Sequence, residues 1–129
     1  MCIFCEIIEG NIPSKKVYED DKLLAILDIA QATRGHTLVL PKKHFDNILD
    51  IDKDNLENLI STTQDLAKKI VNNLKAEGCN ILNNCGEVSG QSVHHIHFHI
   101  LPRYNNDDLD IKFPNHDYDL DEILKEIDG

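Results

Sequence analysis

The apolar positions of this chain follow one long helical pattern and several short alternating ones. Leu56, Leu59, Ile60, Thr63, Leu66, Ala67, Ile70, Val71 and Leu74 recur at steps of three and four, which predicts a helix over about 54–77. Asp54 with Glu57 reads as a capping box at its start, and Gly78 suits the left-handed position past its end. Ile3, Phe4, Ile7 and Ile8 share a shorter helical spacing that stops at Gly10, and Pro13 and Ser14 prevent its renewal. "KVYEDDKLLAILD" reads as two strands around an acidic turn at Asp20–Asp21. "HTLVLP" is a short buried strand ending at Pro41, and "HFDNIL" suits a short helix. "CNILNN" is a strand, "CGEVSGQS" a glycine-containing loop, and "VHHIHFHILP" the next strand, bounded by Pro102. "LDEILKEI" can close the chain as a short helix. Strands in pairs around one long helix, without βαβ alternation, predict an α+β fold with an antiparallel sheet of about five strands.

Composition narrows the function. At 129 residues, with no internal repeat or linker, the chain is expected to form one domain over 1–104, with 105–129 as an acidic C-terminal extension of it. The formal net charge of −10 argues against general nucleic-acid or anionic-membrane binding, because the long-range field repels phosphates. It leaves room for a small phosphorylated ligand held by local donors. Met1 to Phe4 lack the order of a signal peptide, and no apolar run approaches the ~20 residues of a membrane span, so a cytoplasmic protein is expected. Cys2, Cys5, Cys79 and Cys85 are then expected to be reduced.

The chemistry concentrates in "SVHHIHFHILP". On a strand, His95, His97 and His99 share one face, and Ile96, Phe98 and Ile100 share the other, which must be core. His94, at the strand's start, is given no role. Three imidazoles in register can be metal ligands, acid/base groups, nucleophiles or satisfied core residues. A trio of zinc ligands would leave Cys2-x-x-Cys5, itself half of a zinc site by spacing, unexplained. The bland reading of that pair is two buried thiols. Cys79 and Cys85 fit no ligand pattern.

"HIHFHIL", His-φ-His-φ-His-φ-φ with φ apolar, resembles the signature of the histidine triad (HIT) family. "VYEDDKLLAILDI", "GHTLVLPKKH" and "NNCGEVSGQSVHHIHFHILPR" are similar to family segments in the same order, so the resemblance covers Cys2 to Arg103. The resemblance implies the HIT-like fold and, in the Hint-like branch, a nucleotide-binding hydrolase that cleaves at the α-phosphorus of purine nucleoside phosphoramidates through a nucleotidyl-histidine intermediate. The alternatives are a dinucleoside polyphosphate hydrolase and a non-catalytic, nucleotide-responsive interaction module. Carried over residue by residue, His97 is the nucleophile, His99 attends the phosphate, His36 lies close to them, and Ser92 donates to phosphate or leaving group. The nucleoside rests on Ile26, Leu27 and Ile29, with Asp28 accepting from the ribose hydroxyls. Asn84, Gly90 and Gln91 stand near the phosphate. A family aromatic position is Ile26 here, which leaves base preference open. The resemblance also implies structural zinc on Cys2, Cys5, His44 and His95, no obligatory catalytic metal, and a homodimer.

Overall fold

A computed structural model describes residues 2–129 and orders the elements as α1 (Ile3–Ile8), β1 (Lys16–Glu19), β2 (Leu23–Leu27), β3 (Thr37–Pro41), α2 (Lys53–Leu74), β4 (Gly78–Asn83), β5 (Phe98–Arg103) and α3 (Leu120–Asp128). A single 3-10 turn, Glu87–Ser89, lies in the loop after β4. The five strands form one sheet in the order β1-β2-β3-β5-β4, and every neighbouring pair is antiparallel. The expected α+β architecture is therefore present.

Both faces of the central sheet are covered, which explains why β2 reads "LLAIL" without polar alternation. Leu23, Ala25, Val39, Phe98 and Ile100 face α2 and pack with Leu59, Leu66, Ala67 and Ile70. Leu24, Ile26, Leu38 and Leu40 face the other way and pack with Phe4 and Ile7 of α1. Adjacent residues of one strand thus serve two cores. The second core is small, and the histidines border it.

Four expectations are corrected. Helix α2 begins after Asp52, whose carboxylate accepts from Asn55 N–H, so Asp52 and not Asp54 is the cap. The helix stops at Leu74 because Lys75 takes the left-handed conformation, with φ 56°. Gly78 belongs to β4. The segment "HFDNIL" is a run of turns, pinned by Asp46 N–H to Asp50 and Ile51 N–H to Asn47 C=O. Strand β5 starts at Phe98, so His95 and His97 sit on an extended approach to it.

After β5 the chain is anchored before it runs out. Arg103 forks onto the Asp107 carboxylate at 3.0 Å through Nε and Nη2, which holds that carboxyl down at about 2, and Nη1 reaches Asn80. Beyond this clamp the tail lies open. Among the described residues, no helix is long and apolar enough to cross a membrane.

Candidate active site and metal cluster

The alternation of "HIHFHI" survives the irregular approach to β5. Ile96, Phe98 and Ile100 enter the core under α2, while the three histidines turn toward α1. They are not on a solvated face. His95 is 0% and His97 6% exposed, because Phe4 sits edge-on to both rings, at centroid distances of 5.9 and 5.0 Å. On β5, His99 is paired between Leu38 and Leu82 and is half-buried.

Hydrogen-bond partners assign each ring a different duty. His97 Nδ1–H donates to the carbonyl of His95 at 2.8 Å, which leaves Nε2 unprotonated. Asn83, which carries no signal in the sequence, donates its amide to the His97 carbonyl at 2.9 Å and fixes that backbone. Burial lowers the proton affinity of His97, so the ring is neutral near pH 7. His36 Nδ1 accepts from Ala32 N–H at 3.2 Å, which puts its proton on Nε2, 2.9 Å from His99 Nδ1. Asp28 Oδ2 stands 3.6 Å from the same Nε2, and Asp28 Oδ1 accepts from Ala30 N–H. Asp28, His36 and His99 lie close enough to suggest a metal trio. A metal on His36 Nε2 would force the proton onto Nδ1, against the Ala32 N–H. The trio is instead a hydrogen-bonded His36–His99 pair with the Asp28 carboxylate beside it.

His99 is the most perturbed of these groups. Desolvation, then the nearby His97 and His36, push its pKa down to about 4. In the unfolded chain an imidazole titrates near 6.5. The unfolded state therefore takes up a proton first, and the His99 contribution to stability is complete above about pH 6.5 and is lost as pH falls from about 6.5 to about 4. His99→Asn is expected to flatten the decline of Tm between pH 7.5 and 5 relative to the parent, both proteins metal-loaded. Parallel curves would contradict this origin of the acid sensitivity.

A cleft of about 270 Å³ opens over these groups. Its walls include Ile26, Leu27, Asp28 and Ile29 from the end of β2, Ser92, His97 and His99 from the triad segment, and Ile3, Phe4 and Ile7 from α1. The structure thus gathers most of the residues singled out in the sequence. Gln91 is an exception. Its side chain is buried, donates to the carbonyls of Asp46 and Val93 and accepts from Gly86 N–H, so it is a strut inside the loop. Asn84 and Gly90 stand together, and neither is among the residues that line the cleft. Gly90 has φ +106°, and a Cβ there would approach the Asn84 amide to 3.4 Å.

Next to the cleft, Cys2, Cys5, His44 and His95 converge. His95 Nδ1 lies 3.4 Å from Cys2 Sγ and 3.6 Å from Cys5 Sγ, and His44 Nδ1 lies 3.5 Å from Cys5 Sγ. A tetrahedral zinc ion with Zn–S and Zn–N bonds of about 2.3 and 2.0–2.1 Å places sulfur and nitrogen about 3.5 Å apart. The distances match that tetrahedron, and so do the tautomers. His95 Nε2–H donates to Pro41 C=O at 2.7 Å and His44 Nε2–H to Asp46 at 2.9 Å, so both Nδ1 atoms carry free lone pairs. The four residues can hold a metal ion, with no position left for water. Asp46, which orients His44, stands only two residues from it, yet nothing in the local sequence marks it for that task. Cys79 is exposed and Cys85 half-buried, and neither joins the cluster.

These features define a cleft walled by apolar side chains, two histidines and a carboxylate, beside four side chains able to hold a metal ion, and the family emerges from comparison. The HIT domain model matches residues 9–106, and the chain belongs to the HIT family. It is 49% identical to an uncharacterized HIT-like protein of Methanocaldococcus jannaschii over the full length of both chains. It is 36% identical to the adenosine 5'-monophosphoramidase of Schizosaccharomyces pombe, across 95% of this chain and 90% of that one. A zinc-bound histidine triad family protein from Mycobacterium smegmatis superposes with a TM-score of 0.81 at 37% identity, covering 98% of this chain and 95% of that one.

Proposed function

We propose that this protein is a nucleotide-binding hydrolase that cleaves purine nucleoside phosphoramidates at the α-phosphorus through a nucleotidyl-His97 intermediate. The observation that carries the reading is the state of His97: neutral, buried, with Nδ1–H committed to the His95 carbonyl and Nε2 left free beside the cleft. In the first step Nε2 attacks phosphorus, the P–N bond breaks, and the amine leaves with a proton. In the second, a water oxygen attacks phosphorus, the bond from phosphorus to Nε2 breaks, the water gives up a proton, and nucleoside monophosphate departs with the neutral imidazole restored. The positive charge that builds on His97 is offset by the carbonyl at Nδ1. His99, held by His36, and Ser92 contact the phosphoryl oxygens or the leaving amine. Asp28 receives the ribose hydroxyls, and Ile26, Leu27 and Ile29 bear the base. The named activity of the S. pombe relative supports this choice of substrate class.

The ion assigned to Cys2, Cys5, His44 and His95 is zinc with a structural role, tying α1 to the turn after β3 and to the triad segment. The zinc-bound M. smegmatis relative supports it. No step of the reaction runs through it. The reading also places the protein in the cytoplasm, where these thiols stay reduced.

The same reading includes a homodimer. Strand β4 is a sheet edge that exposes Ile81 and Leu82, and it flanks an apolar groove lined by Ile60, Ala67 and Val71 of α2. An uncovered edge with such a groove fits a second copy of the chain. The open tail adds uncovered Phe113, Leu120, Leu124 and Ile127, which suit the same assembly. Ile81→Glu is expected to convert the protein to monomers in sedimentation experiments. A parent chain that sediments as a monomer at tens of micromolar would reject the dimer.

Comparing kcat/KM for an adenosine phosphoramidate and for diadenosine polyphosphates tests the substrate class. A clear preference for the phosphoramidate is expected. The reverse order selects the polyphosphate reading, and tight binding of AMP or GMP with turnover of neither class selects a binding module.

A further inference from the structure

Helix α1 forms one wall of the cleft, yet little fastens it. Among the described residues, every hydrogen bond that leaves segment 2–14 runs through a cysteine sulfur: Cys2 to His95, and Cys5 to His95 and His44. The others close within the segment, as in Glu6 N–H to Cys2 C=O and Asn11 N–H to Glu6 C=O. A six-residue helix has no stability of its own. What remains is the packing of Phe4 and Ile7 onto the second core, where Phe4 also meets the His97 ring. Both cysteines are half-exposed, and Cys2 opens onto a cavity of about 400 Å³ shared with His44, Asp46, Ser92 and His94.

We propose that Cys2 and Cys5 form a reversible oxidation site for hydrogen peroxide, and that its state decides whether α1 closes the nucleotide cleft. One thiolate attacks a peroxide oxygen, the O–O bond breaks, and a sulfenic acid and hydroxide form. The second thiolate displaces hydroxide from that sulfur to give the Cys2–Cys5 disulfide. Two electrons pass from the two thiolates to the peroxide, and two protons convert the hydroxides to water. The Cys-x-x-Cys spacing at a helix start suits such a bond. A disulfide offers no thiolate, so the cation held by Cys2, Cys5, His44 and His95 leaves. Segment 2–14 then has no polar tie to the sheet, and the wall built of Ile3, Phe4 and Ile7 loosens. This inference rests on the metal assignment above and not on the reaction.

The test uses the zinc-loaded Cys79→Ser/Cys85→Ser protein and a few equivalents of hydrogen peroxide. Zinc release is followed with a chromogenic chelator, thiols by titration, backbone amide exchange by mass spectrometry, and AMP affinity by calorimetry. The expected result is one equivalent of zinc released as two thiols disappear together. Exchange over 3–12 accelerates at least tenfold while α2 stays protected, AMP binding weakens fivefold or more, and reductant with zinc reverses all four. Peptide mapping of the parent chain should find the same Cys2–Cys5 bond, and Cys5→Ser should form no intramolecular disulfide at Cys2. Retained zinc with both thiols intact overturns the proposal, as does zinc release with unchanged exchange over 3–12. Complete loss of protection in α2, as in an unfolded chain, would make the metal indispensable to the whole fold, which also overturns it. Zinc, thiols and exchange are read without any substrate, so their outcome stands apart from the phosphoramidase reading.

Discussion

Replacing His97 with alanine is expected to lower kcat toward an adenosine phosphoramidate by about 10⁴-fold or more, the scale on which loss of a covalent nucleophile is felt. The size of the effect stems from the division of labour around the cleft. His99 is locked to His36, and His95 turns its free nitrogen toward the two cysteines, so neither presents a substitute nucleophile. AMP affinity should change far less, because Asp28 and the apolar wall remain. The split between kcat and binding is what separates a nucleophile from a packing residue. His97→Asn should be equally inactive, since an amide does not form a stable, hydrolysable bond to phosphorus. Steady-state kinetics, with Tm confirming a folded variant, checks both substitutions. Turnover within tenfold of the parent would remove His97 from the reaction.

Removing the metal is expected to be the largest single effect on stability. The second core, under α1, is small, and the cysteines and histidines of the cluster join α1, the turn after β3 and the triad segment. An ion bound a thousandfold above its Kd stabilises the native state by about 4 kcal/mol. For a domain of this size that corresponds to a fall in Tm of roughly 10–20 °C on chelation. The chain should remain folded below that temperature, because the core under α2 draws on none of the four ligands. Differential scanning calorimetry before and after chelation measures the shift. Unchanged Tm in protein shown to have lost one equivalent of zinc would refute a structural role.

Much of this site is written in residue periodicity. The two-residue repeat of "HIHFHI" places imidazoles and aliphatics on opposite sides whatever the local hydrogen bonding. A strand start at Val93 is therefore wrong by several residues, while the facing of each side chain is right. The cluster is legible in part because Cys2 and Cys5 are three apart. His44 and His95 join it only through the sheet, and the family resemblance supplies them. Other features depend on contacts that no local pattern encodes. That the histidines border a second core results from α1 folding back, which places Phe4 against two rings. Asn83 and Asn84 look alike in sequence, yet only Asn83 reaches the His97 carbonyl. Gln91 looks like a phosphate donor until three backbone groups claim its amide. Helix α2 ends where Lys75, a residue with no special preference for it, adopts a left-handed conformation.

The central claim is a covalent bond between phosphorus and His97 Nε2. The most direct measurement is rapid quenching of the enzyme with an adenosine phosphoramidate under conditions that preserve phosphorus–nitrogen bonds, and then mass spectrometric mapping. An adenylyl group on the peptide containing His97, formed and lost at rates compatible with kcat and absent from His97→Ala, is the predicted result. Turnover at the same rate with no adduct in the burst phase, or an adduct that persists on another residue in His97→Ala, would contradict it.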